Sequence, residues 1–255
     1  MTLGVGIETN GGIVLASDSR GTVGDLRGLT TNNDTHMKIF TPMPQVALAL
    51  AGMGDVGHAL MQHVRAQLDQ ANSDVDAVAT SMHAIGAQYY AQSFGIPQWL
   101  MSPSGMPAST PRPDVWCLLA GYTQAGRPKL INMTSAVPFN FTPSFTNTGF
   151  AAVGVAPLAL YLLNRLYSRD LSLEIAKDLA AYCIEETASQ DGKVGGPVRM
   201  AVVRHNQPTE IIGDDEIAEL GRRVSVHREA LKRSFLTLPR ELGPAAEGPK
   251  LVPAK

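Results

Sequence analysis

Apolar and polar positions alternate in two short runs at the start of the chain. The runs cover residues 2–9 and 12–17, and Asn10-Gly11-Gly12 separates them. Asn-Gly between alternating apolar runs is typical of a tight hairpin turn, so we predict two antiparallel strands. Residues 21–34 are polar and contain several glycines, which predicts a loop. Further strands are predicted at 38–40 and at 46–51, where six apolar residues follow one another.

Helical spacing of apolar positions begins near Asp55, and a second helix is predicted over 74–92. A proline-rich loop should cover 93–113. Strands follow at 114–121, at 129–133 and before Val153, then helices at 158–166 and 171–187. The chain closes with strands at 198–203 and 210–212 and a helix over 214–234. Grouped strands and grouped helices favour an α+β fold in which sheets pack against helices, rather than a doubly wound parallel sheet.

Composition indicates an ordered globular protein, with 255 residues, 44% hydrophobic and 17% charged. The net charge of −2 gives no general attraction for nucleic acid. Residues 221–255 hold eight Lys/Arg and three Asp/Glu. We therefore expect a body over 1–220 and a C-terminal helix with a flexible basic tail over 221–255. The tail could contact a neighbouring subunit or an anionic partner, or it could be a solvated end.

Several classes of protein are not expected. Cys117 and Cys183 lie far apart in apolar surroundings, which indicates neither a disulfide framework nor a metal site and favours a reducing compartment. The six histidines show no metal-binding spacing, so no metal or cofactor is expected. The first residues show no basic region followed by an apolar core, so no signal peptide is expected, and no apolar run approaches the ~18 residues that span a bilayer. A cytoplasmic protein without membrane contact is the expectation.

Thr2 follows Met1 directly and opens the first predicted strand. An initiator methionine is usually removed when the next residue is small, which would leave a threonine with a free α-amine. Hydroxyl and amine then form a nucleophile and a base within one residue. The amine titrates near ~7.7–8.0, so it can accept a proton at neutral pH. The alternative is that Thr2 is merely a tolerated second residue.

Asp18 and Lys38 complete a possible reactive group around Thr2. Asp18 ends the second predicted strand and so returns beside the start of the first. Lys38 begins the next strand-like segment. A lysine can help a hydroxyl lose its proton when a carboxylate and partial burial control its own charge. We therefore expect these three side chains to converge.

These segments resemble proteasome β-type subunits, members of the N-terminal nucleophile hydrolase superfamily. The similarity runs from Thr2 to about Leu220. Within the family, the chain looks most like bacterial proteasome-like proteins, which include an ancestral β-type branch. It rests on Thr2, Ser17-Asp18-Ser19-Arg20-Gly21-Thr22, Lys38-Ile39-Phe40, Ala49-Leu50-Ala51-Gly52 and Gly195-Gly196-Pro197. The resemblance implies a four-layer αββα sandwich of two antiparallel sheets between helix pairs. It also implies a threonine endopeptidase that hydrolyses peptide bonds in unfolded chains.

The resemblance also assigns roles to residues. Thr2 would be the nucleophile, Asp18 would hold Lys38, and Lys38 would ease deprotonation of Thr2, with Asp191 in an outer network near the Thr2 amine. A second set would handle the substrate: Gly52 offers a backbone N–H to the oxyanion, Gly21 and Thr22 pair with an extended peptide, and Leu50 borders the side-chain pocket. Leu50 could equally be a core residue.

Two positions depart from the family pattern. Gly154 and Val194 stand where the family usually has serines that orient the amine of the nucleophile. A non-catalytic ring or scaffold subunit is therefore an alternative function, and a small-molecule amidase is a further one. The resemblance also implies partners. These are further copies of the chain in homo-oligomeric stacked rings and an unfolded polypeptide substrate, and they could include an ATP-dependent unfoldase.

One further motif is typical of a different class of protein, the dinucleotide-binding folds. Gly52-x-Gly54-x-x-Gly57 follows a predicted strand and precedes a helix, as in dinucleotide-binding folds. No parallel strand follows within roughly thirty residues, since the region up to residue 92 is predicted to be helical. The motif therefore does not predict a nucleotide site.

Overall fold

The computed structural model describes residues 2–24, 30–68, 74–95, 112–136 and 139–237. In those ranges the strands are β1 (Leu3–Thr9), β2 (Gly12–Ser17), β3 (Gly21–Gly24), β4 (Thr30–Asn33), β5 (Ile39–Met43), β6 (Val46–Gly52), β7 (Val115–Tyr122), β8 (Pro128–Thr134), β9 (Ser144–Phe145), β10 (Phe150–Gly154), β11 (Arg199–Val203) and β12 (Glu210–Ile211). The helices are α1 (Gly54–Gln67), α2 (Val75–Phe94), α3 (Pro157–Leu166), α4 (Leu173–Gln190) and α5 (Asp214–Thr237).

Local sequence signals explain where several helices begin. Asp74 precedes α2, and its Oδ1 accepts hydrogen bonds from the N–H groups of Asp76 and Ala77. Ser172 caps α4 in the same way by accepting from the N–H of Ile175. Pro157 occupies the first turn of α3, where its missing N–H costs nothing.

Two antiparallel five-stranded sheets form the centre of the protein. The first sheet has the order β10-β1-β2-β11-β12, and the second has the order β5-β6-β7-β8-β9. A small two-stranded sheet joins β3 to β4. One apolar cluster lies between the first sheet and α3, α4 and α5, and another lies between the second sheet and α1 and α2. A third fills the space between the sheets, so the architecture is the expected αββα sandwich.

Glycines on β1 allow the two sheets to approach closely. A Cβ on Gly4 would lie 2.9 Å from Cγ2 of Val153 and 3.1 Å from Cβ of Ala49. A Cβ on Gly6 would lie 2.6 Å from Cδ2 of Leu130. These contacts are too short for any side chain to fit without movement. The inner face of β1 is therefore in direct contact with the second sheet.

Most predicted elements are confirmed, and the differences fall on polar or very short segments. Residues 21–34 were expected to be a loop but contain β3 and β4, and β9 was not predicted. Neither segment has the apolar alternation that marks a half-buried strand. Most of the predicted loop 93–113 lies outside the described residues.

α5 runs without a break from Asp214 to Thr237 and so crosses position 221, the predicted boundary between the body and the C-terminal helix with its tail. The division into a body and a tail stays a prediction, because residues 238–255 are outside the described ranges. No helix in the described part of the chain is long and apolar enough to cross a membrane. Among the described residues, no group of three or more metal-binding side chains gathers at one point.

Candidate active site

Asp18 lies at the end of β2 and is completely buried. Its Oδ1 accepts hydrogen bonds from Lys38 Nζ at 2.9 Å and from the N–H of Leu3 at 3.0 Å. Its Oδ2 accepts from the N–H groups of Gly195 at 3.0 Å and Arg20 at 3.2 Å. One cation and three backbone donors therefore surround the carboxylate, which compensates for its removal from water.

Lys38 immediately precedes β5, and its side chain is only 7% exposed. Besides the bond to Asp18, Nζ donates to the carbonyl oxygen of Arg20 at 2.7 Å. Burial lowers the pKa of Lys38 from its usual 10.5, and the negative charge of Asp18 opposes that shift. The ammonium is thus fixed in position and gives up its proton more readily than a lysine in water.

Thr2 is 5% exposed and lies at the start of β1. Its carbonyl oxygen accepts a hydrogen bond from the N–H of Val155 at 2.9 Å, just beyond β10. Thr2 borders a cleft of about 350 Å³. Six of the predicted site residues line this cleft, namely Thr2, Gly21, Thr22, Lys38, Leu50 and Gly52. The fold therefore brings the expected nucleophile, lysine and oxyanion donor to one cavity.

Gly52 ends β6 with a positive φ of 103°. A Cβ there would lie 2.1 Å from the carbonyl oxygen of Asp114, an impossible contact. The same carbonyl accepts a hydrogen bond from the N–H of Met53 at 3.0 Å. This backbone conformation requires glycine at position 52. Because glycine has no side chain, its main-chain atoms can line the cleft directly.

Gly21 and Thr22 belong to β3, which borders the cleft. In the part of the chain that the structure describes, β3 pairs with β4 and with no other strand. No strand within the described ranges covers its second edge. The ring of His36 covers Gly21, so a Cβ at that position would lie 2.0 Å from His36 Cδ2.

Leu50 is a core residue, and it also lines the cleft. Its role in a substrate side-chain pocket stays a prediction. Leu50 is 3% exposed and packs in the cluster between the second sheet and α1. A Cβ on Gly57 would lie 2.2 Å from Leu50 Cδ2, so α1 lies directly against this side chain.

Two polar residues of the cleft, Asp55 and His58 on α1, were not among the predicted site residues. They stand among helix-surface residues with no motif of their own.

Asp191 ends α4 and does not line the cleft. Its Oδ1 accepts from the N–H of Lys193 at 2.9 Å, and its carbonyl oxygen accepts from the N–H of Val194 at 3.0 Å. These bonds hold the turn that leads to Gly195, whose N–H binds Asp18. The expected role of Asp191 near the amine of Thr2 stays a prediction.

The two positions that depart from the family pattern have distinct surroundings. Val194 is completely buried in the cluster beneath α4. Gly154 has a φ of 82°, and a Cβ on it would lie 1.8 Å from the carbonyl oxygen of Thr2. The backbone at Gly154 therefore leaves no room for the side chain of a serine.

Comparison with curated proteins gives relatives that match most of the chain at low identity. The proteasome subunit beta of Methanococcus aeolicus is 23% identical over 223 residues, which cover 86% of this chain and 91% of the relative. Proteasome subunit beta 2 of Thermococcus onnurineus is 27% identical over 200 residues, or 76% of this chain and 85% of the relative. No family model matches the chain.

Solved structures with the same fold include Anbu proteins. Anbu, an ancestral beta-subunit from Yersinia bercovieri, superposes with a TM-score of 0.71 at 16% identity, covering 96% of this chain and 100% of that one. An Anbu mutant from Hyphomicrobium sp. strain MC1 gives a TM-score of 0.70 at 15% identity and covers 94% and 99%. The resemblance to proteasome β-type subunits and the αββα fold are both confirmed.

Proposed function

We propose that this chain is a proteasome-like threonine peptidase that hydrolyses peptide bonds in unfolded proteins or peptides. The supporting observation is the buried ion pair between Asp18 and Lys38, 2.9 Å long, beside the cleft that Thr2 and Gly52 line. A buried lysine held by a carboxylate next to a candidate hydroxyl nucleophile suits covalent catalysis. Relatives named as proteasome β subunits point to the same class.

The proposed reaction begins with removal of Met1, which frees the amine of Thr2. The amine takes the proton of Oγ1 as this oxygen attacks the carbonyl carbon of the peptide bond. The Lys38 ammonium stabilises the developing charge on Oγ1, and the Gly52 N–H donates to the oxyanion. The amine then passes the proton to the leaving nitrogen, which leaves an ester on Thr2. Water, deprotonated by the same amine, hydrolyses the ester and restores the enzyme.

The substrate in this proposal is an extended peptide. It pairs with the open edge of β3 through the backbone of Gly21 and Thr22. Folded proteins cannot present such a segment, so unfolded chains or short peptides are the expected substrates. The same proposal includes a cytoplasmic location and stacked homo-oligomeric rings, which would restrict access to the cleft. An ATP-dependent unfoldase could feed such rings.

A non-catalytic ring or scaffold subunit is the second candidate, and a small-molecule amidase is a weaker third. Gly154 and Val194 favour the scaffold, because neither provides a hydroxyl to orient the Thr2 amine. The backbone at Gly154 excludes such a side chain altogether. The retained Asp18–Lys38 pair favours the peptidase, because a scaffold has no need of a buried ion pair at a cleft.

Intact-mass analysis with and without a threonine-directed epoxyketone tests the proposal. The purified protein should lack Met1 and should gain one adduct per chain. Thr2→Ala should abolish the adduct and the cleavage of fluorogenic peptides, and Lys38→Ala should slow cleavage by about a hundredfold or more. Lys129→Ala is the matched control, because Lys129 forms a half-exposed pair with Asp76 at 2.8 Å away from the cleft. A large assembly that forms no adduct and cleaves nothing would support the scaffold instead.

A further inference from the structure

A second cavity of about 290 Å³ lies beside the candidate active site. Trp116 from β7, with Asn132 and Thr134 from β8, forms one wall. Gly154, at the end of β10 in the first sheet, and Phe139 also line the cavity. None of these residues takes part in the chemistry proposed above.

The order of strands places this cavity directly after the first cleft. The end of β6 lines the first cleft, and β7 and β8, the strands that follow β6 in the same sheet, line the second cavity. Ala51 of the first cleft is the register partner of Trp116. A Cβ on Gly154 would touch both the Thr2 carbonyl oxygen and Ala51. The nucleophile therefore lies at the junction of the two cavities.

We propose that the second cavity binds the leaving portion of the substrate, the residues that follow the cleaved bond. This inference rests on the proposed peptidase function. In that proposal, β3 and the first cleft hold the part of the peptide that becomes the acyl group on Thr2. The leaving portion must then extend past Thr2 in the opposite direction, where the second cavity is the adjoining space.

The lining of the cavity indicates the chemistry of its ligand. Trp116 and Phe139 offer apolar surface suited to a bulky apolar side chain. Oδ1 of Asn132 is buried and has no hydrogen-bond partner among the described residues. An unpaired buried acceptor is costly, and after a small rotation of the Asn132 side chain, which lines the cavity, a donor from a ligand would relieve that cost. The main-chain N–H of a peptide is such a donor.

The Phe139 side of the cavity is anchored rather than loose. The N–H of Phe141 donates to the carbonyl oxygen of Thr134 at 2.6 Å, and the N–H of Thr142 donates to that of Phe139 at 2.8 Å. The Phe141 side chain is completely buried and packs on Tyr90, with ring centroids 5.1 Å apart. The turn thus holds Phe139 at the cavity, and the residue stays 56% exposed to solvent.

Cleavage of internally quenched peptides tests the inference. The peptides share every residue before the cleaved bond and carry leucine, phenylalanine, glycine or aspartate after it. Wild-type kcat/KM should be about tenfold higher for leucine or phenylalanine than for glycine, the range that a hydrophobic pocket typically gives. Phe139→Ala should reduce this preference to about threefold or less. Asn132→Leu, which removes the acceptor, should lower kcat/KM for all four peptides.

Phe145→Ala is the matched control, because Phe145 is 55% exposed on the same connection but does not line the cavity. It should keep the wild-type preference. Epoxyketone labelling separates the two proposals, since the reagent has no leaving portion, and Phe139→Ala should label at the wild-type rate. Labelling with equal cleavage of all four peptides, or an unchanged preference in Phe139→Ala, overturns the inference alone. Absence of both labelling and cleavage overturns the proposed function and this inference with it.

Discussion

At the scale of single residues, the Asp18 carboxylate accepts four hydrogen bonds and links three separate parts of the chain. Leu3, Lys38 and Gly195 donate from the three separate parts, and the fourth donor, Arg20, lies two residues after Asp18. Any change at Asp18 therefore alters both the charge of the site and its geometry.

Asp18→Asn should impair both catalysis and stability. The neutral amide removes the charge that keeps the Lys38 pKa up, and its NH₂ group faces donors rather than acceptors. We expect a loss of about 3 kcal/mol in the free energy of unfolding, as for other broken buried ion pairs, measured by urea denaturation.

The same variant carries a prediction for pH. Burial lowers the pKa of Lys38 and Asp18 opposes this, so without Asp18 the pKa should fall further. The alkaline limb of the rate profile, where Lys38 loses its proton, should then move to lower pH than in the wild type. An alkaline limb at the same pH in both proteins would mean that Lys38 does not control the rate there.

Gly154→Ser restores the usual family residue but should be harmful. The new Cβ would collide with the Thr2 carbonyl oxygen, and φ at this position is 82°. We expect a loss of about 2 kcal/mol in stability and a lower peptidase rate, measured by thermal unfolding and peptide cleavage. Gly192→Ser is the control, because a Cβ there meets nothing within 4 Å. A Gly154→Ser protein that is as stable as the wild type and more active would contradict this account.

At the scale of elements, apolar periodicity was sufficient to predict the five helices and the long strands. The convergence of Asp18 and Lys38 could be predicted because a tight hairpin returns Asp18 to the start of β1. The β3–β4 pair could not be predicted, because its residues are polar and its stability comes from pairing rather than burial. The hydrogen bond from Gly195 to Asp18 spans 177 positions, and no local pattern encodes such a contact.

α5 shows how charge can attach an element that buries little surface. Leu220 and Val224 are its buried residues, and up to Thr237, where the described part ends, none that follows Val224 is buried. Ion pairs to α4 hold the helix, including Arg223 to Asp178 at 2.8 Å and Arg228 to Glu186 at 2.6 Å. The outer half of α5 therefore depends on few and half-exposed contacts.

Arg228→Ala should loosen the outer half of α5. Exposed ion pairs contribute little each, so amide exchange over residues 225–237 should rise about threefold. Hydrogen–deuterium exchange by mass spectrometry measures this directly. Arg222→Ala is the matched control, because Arg222 pairs with Glu219 inside the same helix. Equal exchange in the two variants would show that the contacts to α4 do not hold this segment.

At the scale of the whole molecule, apolar side chains remain exposed on the face opposite the second sheet. Leu166, Ile175 and Leu231 border a groove of about 250 Å³ between α3, α4 and α5. Phe235 continues this surface one helical turn beyond Leu231 and is 72% exposed. Exposed apolar patches of this kind commonly mark protein–protein contacts. The proposed ring assembly would cover this surface.

Leu231→Glu combined with Phe235→Glu should lower the mass of the assembly. Both residues are exposed, so the fold should be unaffected while the apolar contact is lost. Size-exclusion chromatography with light scattering measures the mass, and thermal unfolding checks the fold. Glu229→Lys with Arg233→Glu, on the other side of α5, keeps the net charge and should assemble normally. A wild-type protein that is monomeric at micromolar concentration would remove the basis for the ring proposal.

The glycines on the inner face of β1 have a consequence for the proposed reaction. Thr2 belongs to one sheet, while Gly52 ends a strand of the other and Lys38 adjoins that sheet. The thickness of the interior at Gly4 and Gly6 therefore fixes the gap that the chemistry must bridge. A methyl group added at Gly6 would collide with Leu130 of the second sheet and would increase the distance between the two sheets that carry the proposed reacting groups. Gly4 and Gly6 thus help to set the spacing of Thr2 from Lys38 and Gly52, although they lie outside the cleft.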